Sequence, residues 1–240
     1  MTETKISPVG IIRSPYKEKF AIPRQPSLAP AGTGELHLLA PYNNPEMVKG
    51  LEQFSHLWLI FLFHQTTAQG WHPTVRPPRL GGNERIGVFA SRSTFRPNNL
   101  GLSAVELKGI HIEKENIILQ LGSVDLLDGT PIIDIKPYIP YADSYPDALA
   151  GYAQLAPEND KLQVSFSEVF MQQIQQYQNA YPQLQPLIEQ VIQQDPRPAY
   201  KHKNTDLQQY GMQLFDFNIR WQVQGQLATV IDLEKLNKRR

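Results

Sequence analysis

Frequent prolines limit what this chain can fold into, because they make up 20 of its 240 residues. Proline interrupts helices and central strands, so this content favours short elements joined by loops of fixed geometry. Between the prolines, segments rich in branched and aliphatic residues predict about seven strands. These are residues 9–12, 34–39, 56–64, 86–90, 103–112, 116–124 and 132–135, the third being apolar enough to be covered on both faces. Many short strands without strand–helix–strand repeats predict a mainly β fold, a sandwich or small barrel, rather than a doubly wound sheet.

The composition changes near residue 145, where small residues and two prolines predict a linker over residues 142–159. Apolar residues at helical spacing begin at Val169, and Pro186 fits the first turn of a second helix over residues 187–194. Two strands are predicted after it, at residues 214–223 and 227–233. We therefore expect two domains, a β domain at residues 1–145 and a small α+β domain at residues 160–240.

Charge, cysteine content and apolar runs exclude several classes of protein. The formal net charge is zero, which argues against non-specific binding of nucleic acid over the whole surface. No cysteine is present, so disulfides, thiolate nucleophiles and cysteine-held metal sites are excluded, and the six histidines show no metal-site spacing. No signal-peptide pattern is present, and the longest apolar run, residues 57–63, is too short to span a bilayer. These observations predict a soluble cytoplasmic protein with no metal and no membrane partner.

Positive charge is concentrated in a central segment, residues 65–105, which carries a single acid, Glu84, and no lysine. Its five arginines are Arg76, Arg79, Arg85, Arg92 and Arg96. A guanidinium group forms planar, bidentate contacts with phosphate or carboxylate. Because four prolines restrict its loops, this central segment is a candidate site for an anionic ligand. A solvated basic face would give the same pattern.

Two polar turns and one histidine complete the candidate site. The run at residues 91–103 offers two guanidiniums, several hydroxyls and two amides. The Asp-Gly turn of residues 128–131 could present Asp128 to a ligand, although a plain hairpin turn remains the alternative. His64 ends the most apolar strand and could be a general base, a ligand contact or a buried hydrogen-bonded residue. The glycine-rich patterns of common nucleotide-binding sites are absent from the sequence.

Residues 7–141 resemble the TsaA-like (YaeB/TrmO) family. The two most specific stretches are Ser91-Arg92-Ser93-Thr94-Phe95-Arg96-Pro97-Asn98 and Asp128-Gly129-Thr130-Pro131-Ile132-Ile133-Asp134-Ile135-Lys136-Pro137-Tyr138. Residues 11–16, 23–26 and 51–64 match as well. Residues 195–200 look like part of the extension found in the bacterial members of the family.

This resemblance implies an S-adenosyl-L-methionine-dependent tRNA methyltransferase that acts on N6-threonylcarbamoyladenosine at position 37 of the anticodon loop. It also implies a small β-barrel catalytic domain, unlike the usual methyltransferase fold, and a homodimer. The donor-binding residues that it implies are Pro23, Arg24, Gln25, His64, Gln65, Arg92, Leu102, Asp128, Gly129, Thr130 and Pro131.

The chemistry of such a reaction predicts further roles. The N6 nitrogen of a carbamoylated adenosine is a poor nucleophile until its proton leaves, and His64 and Asp128 are the candidate bases. Arg96 or Arg85 is expected to bind the threonyl carboxylate, and the other arginines, Arg76 and Arg79 among them, to hold RNA phosphates. The alternatives are a non-catalytic RNA-binding or cofactor-sensing module and a methyltransferase for a small metabolite.

Overall fold

The structure is a computed structural model that describes residues 5–81, 83–155, 162–197 and 205–236. In space the residues form two compact units, and neither is contiguous in sequence. The first unit contains residues 1–13, 34–122 and 129–154, and the second contains residues 14–33, 123–128 and 155–240. Residues 14–33 and 123–128 therefore fold with the C-terminal residues.

The first unit is built around a closed six-stranded barrel, so the mainly β prediction is confirmed and the barrel alternative is correct. The barrel order is β1-β2-β7-β6-β3-β8. The strand pairs β1–β2, β1–β8, β3–β6, β3–β8 and β6–β7 are antiparallel. Its strands are β1 (Gly10–Arg13), β2 (Thr33–Leu38), β3 (His56–Leu62), β6 (Leu100–Glu113), β7 (Asn116–Ser123) and β8 (Pro131–Pro137). A separate two-stranded ribbon pairs β4 (Thr74–Val75) with β5 (Ile86–Gly87), and the short helix α1 (Pro140–Asp143) follows β8.

Alternation along the strands separates the barrel interior from its outer face. In β3, Leu57, Leu59 and Phe61 are buried, whereas the residues between them are only half-buried. Since successive side chains of a strand point to opposite faces, the buried set lines the core. The expectation that this strand is covered on both faces is therefore wrong, because only one of its faces is fully buried.

The strand register brings three predicted loops to one end of the barrel. Leu62 at the end of β3 pairs with Leu100 at the start of β6. Phe61 pairs with Ile132 near the start of β8, and Pro131 pairs with Ile11 of β1. The loop after β3, the loop before β6 and the turn before β8 therefore emerge from the same end of the barrel.

The second unit contains a four-stranded sheet with the order β10-β11-β12-β9, in which β9 runs parallel to β12. Its elements are β9 (Gln163–Phe166), α2 (Glu168–Gln175), α3 (Leu184–Gln193), β10 (Gln208–Leu214), β11 (Phe217–Gln224) and β12 (Leu227–Lys235). The Ser167 hydroxyl caps α2 by accepting a hydrogen bond from the Phe170 N–H group. Phe170 and Ile174 of α2 are buried in the core of this unit.

Several predicted boundaries differ from the structure. The strand predicted at residues 86–90 ends at Gly87, because Val88–Ala90 turns into a 3-10 helix. The second helix begins at Leu184 rather than at residue 187, with Pro186 still in its first turn. β4, β9 and β10 were not predicted, since they are short or rich in glutamine. In the part of the chain that the structure describes, no helix has both the length and the apolar character needed to cross a bilayer.

Candidate functional site

His64 and Gln65 lie immediately after β3, at the end of the barrel where the three loops emerge. The Phe63 N–H group donates to the Asn99 carbonyl at 2.8 Å, which ties this segment to the loop before β6. Asn99 has a φ of 52°, a left-handed conformation that asparagine adopts more readily than most residues. His64 is half-buried, Gln65 is exposed, and among the described residues the His64 ring has no hydrogen-bond partner. The imidazole is therefore accessible for a ligand or a proton.

Leu102 projects from the outer face of β6 near the same end of the barrel. It is 54% exposed, whereas the next residue, Ser103, is buried. Its neighbour Gly101 lies under the Phe61 ring, because a Cβ atom there would be 2.2 Å from the nearest ring carbon. A glycine at this position allows the close packing of β6 on β3 that places Leu102 at the surface. Leu102 gives this end of the barrel an apolar contact surface.

The turn at residues 129–131 is hydrogen-bonded to β1. The Gly129 N–H group donates to the Ile12 carbonyl at 2.9 Å, and the Ile12 N–H group donates to the Thr130 carbonyl at 3.0 Å. Gly129 has a φ of 79°, and a Cβ atom built on it would meet no other atom within 4 Å. The turn therefore leaves open space beside its backbone, where a ligand could approach closely.

Asp128 belongs to the second unit, and each of its carboxylate oxygens has a partner there. Its Oδ1 atom accepts a hydrogen bond from the Ser14 N–H group at 3.0 Å, and its Oδ2 atom lies 2.7 Å from Lys17 Nζ. Because both carboxylate oxygens already have partners, the geometry fits a residue that fixes the turn better than one that accepts a substrate proton.

Pro23, Arg24 and Gln25 also lie in the second unit, in an extended stretch between two 3-10 helices, Lys19–Ala21 and Pro26–Leu28. Pro23 is buried, Arg24 is exposed and Gln25 is half-buried. The Gln25 Nε2 atom donates to the Arg24 carbonyl at 2.6 Å. Of these three residues, the Arg24 side chain is the one most accessible to solvent.

Arg96 is used to hold its own loop together. Its Nη1 atom donates to the carbonyls of Ser91 at 2.7 Å and Val88 at 3.3 Å, and its guanidinium lies 5.9 Å from the centre of the Phe89 ring. It is half-buried, whereas Arg92 and Arg79 are exposed. These contacts favour Arg85 over Arg96 as the arginine that meets a carboxylate.

Arg76 and Arg85 line a groove beside the β4–β5 ribbon that has a volume of about 370 Å³. The other lining residues are His72, Thr74, Val75, Ser93 and Phe95. Arg79 and Arg96 do not line it. Thr74 was not singled out from the sequence. The signal that could have found it is the spacing of two residues that places His72, Thr74 and Arg76 on one face of an extended chain.

The residues that the resemblance implies have the chemistry that its donor needs. S-adenosylmethionine combines an apolar and aromatic part with charged ends, so it needs both apolar surface and polar groups. Leu102 supplies exposed apolar surface, the backbone beside Gly129 is open, and Arg24, Gln65 and Arg92 supply accessible polar side chains. In the residues that the structure describes, no cluster of histidine, aspartate and glutamate could hold a metal ion.

Comparison with known proteins identifies relatives over almost the whole chain. The family model of the tRNA-methyltransferase O N-terminal domain matches residues 11–144, and that of the TrmO C-terminal domain matches residues 159–236. The chain is 55% identical to the tRNA (adenine(37)-N6)-methyltransferase of Escherichia coli over 234 residues, which are 98% of this chain and 99% of that protein. It is 49% identical to a putative S-adenosylmethionine-dependent methyltransferase, RcsF, of Pseudomonas aeruginosa, over 90% of this chain and 91% of that one.

Solved structures agree with the sequence comparison. A crystal structure of TrmO from Pseudomonas aeruginosa superposes with a TM-score of 0.77 at 40% identity, covering 98% of this chain and 100% of that one. A second TrmO crystal structure gives a TM-score of 0.78 at 42% identity, covering 97% of this chain and 99% of that one. The expected resemblance is confirmed, and the chain belongs to the tRNA-methyltransferase O family.

Proposed function

We propose that this chain is an S-adenosylmethionine-dependent methyltransferase that methylates the N6 nitrogen of adenosine 37 in tRNA. The observation that carries this function is 55% identity, over 98% of the chain, to a tRNA (adenine(37)-N6)-methyltransferase. Relatives named as S-adenosylmethionine-dependent methyltransferases support the same donor. A β-barrel without a glycine-rich nucleotide loop is consistent with the family and with the sequence.

More specifically, we propose that the substrate is an adenosine 37 that already carries an N6-threonylcarbamoyl group. Position 37 lies in the single-stranded anticodon loop, where a base can be turned out of the stack at modest cost. The concentration of arginine in the central segment supports binding of RNA phosphates by a chain whose overall charge is zero. We assign the phosphate contact to Arg79, which is exposed. Arg96 instead holds the shape of its own loop by donating to the Ser91 carbonyl.

For the donor we propose the residues implied by the resemblance. In the first unit these are His64, Gln65, Arg92, Leu102, Gly129, Thr130 and Pro131, and in the second unit Pro23, Arg24, Gln25 and Asp128. Leu102 would contact an apolar part of the donor, and the open backbone at Gly129 would permit close approach. Asp128 would act indirectly, by holding the turn through Ser14 and Lys17.

When bound, the donor supplies a methyl group on a positively charged sulfur, so the protein needs no strong site for a developing negative charge. The main demand on these residues is to align the nucleophile with the methyl group. The N6 nitrogen must also lose its proton, and we propose His64 as the acceptor. Its ring has no hydrogen-bond partner among the described residues, whereas each oxygen of Asp128 already has one partner.

We also propose a cytoplasmic homodimer whose contact surface includes α1 and the segment after it. Tyr141 is 90% exposed and Leu149 is 96% exposed, and Tyr145 is exposed as well. Large apolar side chains that are exposed commonly belong to an interface, and these three lie within nine residues of sequence. Sedimentation of the wild-type protein and of a Tyr145→Glu, Leu149→Glu variant tests this: a dimer that becomes a folded monomer supports it, and a wild-type monomer refutes it.

We retain residues 1–145 as the proposed catalytic part of the sequence and residues 160–240 as a separate domain. The family models divide the sequence in a similar place, at residues 11–144 and 159–236.

The function is tested by incubating the purified protein with S-adenosylmethionine and tRNA, and by measuring methyl incorporation as salt is raised. We expect incorporation that requires tRNA and falls with salt, because phosphate contacts weaken as counterions compete. Turnover without tRNA that is insensitive to salt would indicate a small-metabolite methyltransferase. Binding of both ligands without any methyl transfer would indicate a non-catalytic module.

A further inference from the structure

Two arginines flank one end of the β4–β5 ribbon, with Arg76 directly after β4 and Arg85 directly before β5. Thr74 pairs with Gly87 and Val75 pairs with Ile86 in an antiparallel register. The next position in this register places Arg76 opposite Arg85. In an antiparallel ribbon, residues opposite each other project to the same face, so Arg76 and Arg85 share the face of Thr74.

Two like charges in opposite positions destabilise a ribbon unless something compensates them. Neither Arg76 nor Arg85 forms an ion pair with an acidic side chain among the described residues. Glu84, the only acid of the central segment, does not line the groove. The free protein therefore holds an uncompensated pair of positive charges, and an anion bound between them would relieve it.

Arg85 is already held in place for such a ligand. Its Nε atom donates to Thr74 Oγ1 at 2.9 Å, and its Nη2 atom lies 3.4 Å from the Thr74 carbonyl. A guanidinium has five N–H donors, so hydrogens remain available after these two contacts. Arg76 has no hydrogen bond among the described residues, so it can adjust its position around a ligand that Arg85 holds.

The rest of the groove suits an amino-acid-like group. Thr74 and Ser93 contribute hydroxyl groups, and the His72 and Phe95 rings pack against each other with centroids 5.1 Å apart. A Cβ atom at Gly87 would meet nothing within 4 Å, so this face of the ribbon is open. Among the described residues no acidic side chain lines the groove, and its volume of about 370 Å³ accommodates a small substituent.

We propose that Arg76 and Arg85 together bind a carboxylate carried by the substituent on the target adenosine, and so select the modified base. This rests on the proposed function, in which that substituent is a threonylcarbamoyl group. Arg85 holds one carboxylate oxygen from a fixed position, Arg76 closes on the other, and the hydroxyls of Thr74 and Ser93 meet the polar atoms beside it. A base without the substituent leaves both guanidiniums unpaired, which lowers its affinity.

A backbone phosphate has the same charge, so the experiment must separate it from the carboxylate. Three anticodon stem-loop RNAs are compared that differ only at position 37: one with the threonylcarbamoyl group, one with its carboxamide in place of the carboxylate, and one with plain adenosine. Binding of each is measured to the wild-type protein and to the Arg76→Gln and Arg85→Gln variants. Arg79→Gln is the matched control, since it removes the same charge from the same segment but outside the groove.

We expect the wild-type protein to prefer the carboxylate RNA to its carboxamide by about 10- to 100-fold, the range for hydrogen bonds to charged groups. Arg76→Gln and Arg85→Gln should each remove most of this preference, and Arg79→Gln should keep it while weakening all three RNAs equally. Equal losses for all three RNAs in the groove variants would mean that these arginines hold a phosphate, and unchanged binding would mean that they hold neither. Both results overturn the inference.

Methyl transfer to the carboxylate RNA by the wild-type protein is measured in parallel. If it is absent, the proposed function fails, whatever the binding preferences are. If it is present but the groove variants keep the wild-type preference, only the carboxylate assignment fails.

Discussion

Replacing Asp128 with asparagine separates a structural role of this carboxylate from a catalytic one. The substitution keeps an oxygen that can accept a hydrogen bond from the Ser14 N–H group, which lies 3.0 Å from Asp128 Oδ1 in the wild-type protein. It removes the charge that lies 2.7 Å from Lys17 Nζ, and can set an amide N–H group against that ammonium group. The turn before β8 then loses its ion pair but keeps its shape.

The expected loss in the free energy of unfolding depends on how exposed the Lys17–Asp128 ion pair is. The side chains of Lys17 and Asp128 are 32% and 21% exposed, so solvent screens part of the interaction. Loss of the ion pair should cost about 0.5–1 kcal/mol, and weakening of the hydrogen bond from Ser14 a similar amount. We expect Asp128→Asn to lower the free energy of unfolding by about 1–2 kcal/mol in total.

Urea unfolding and steady-state methylation of tRNA measure the two effects on the same variant. If Asp128 has only a structural role, kcat at saturating donor should fall less than about tenfold. Loss of a general base would lower kcat by about 100-fold or more. Adding Lys17→Met to the variant should cost little further stability, because its partner is already gone. A loss of kcat of about 100-fold or more with unchanged stability would refute the structural role and make Asp128 the base.

Three further substitutions test other parts of the structure. Gly101→Ala places a Cβ atom 2.2–2.8 Å from three atoms of the Phe61 ring, and we expect a loss of about 1–3 kcal/mol in urea unfolding together with weaker donor binding by calorimetry. Arg197→Met breaks a buried bidentate pair with Asp195, whose contacts are both 2.6 Å, and should cost about 3–5 kcal/mol; a loss below about 1 kcal/mol would contradict this. Tyr16→Phe should change stability little at neutral pH, because the buried hydroxyl has no hydrogen-bond partner among the described residues. Burial, reinforced by the Asp125 charge, raises the pKa of Tyr16 above its ordinary 10.0, so the folded chain keeps a proton that the unfolded chain releases. The wild-type protein should therefore lose stability relative to Tyr16→Phe as the pH rises above about 10, and equal losses would refute it.

Strand content was predictable because its signals are local. Branched and aliphatic runs marked β6 and β7 to within a few residues, and the Asp-Gly pair marked the turn before β8. Closure of the sheet into a barrel depends on pairings between distant segments, such as β1 with β8, which no local pattern encodes. For the same reason the parallel pairing of β9 with β12 was not foreseen.

The sequence identified which types of residue are concentrated at the candidate site but did not show which of them has which role. Arg85 and Arg96 have the same chemistry and lie in the same segment. Only the fold shows that Arg96 donates to the carbonyls of its own loop, whereas Arg85 lines the groove opposite Arg76. His64 and Asp128 were equally plausible bases until the contacts of Asp128 with Lys17 and Ser14 were known.

The central claim is tested most directly by identifying the methylated atom. Purified protein is incubated with tRNA and S-adenosylmethionine carrying an isotopically labelled methyl group, and the tRNA is then digested to nucleosides for tandem mass spectrometry. We predict that the label appears on N6 of the modified adenosine from position 37, and that His64→Ala abolishes most of it. Label on another nucleoside, or on no nucleoside while the donor is consumed, would contradict the assignment.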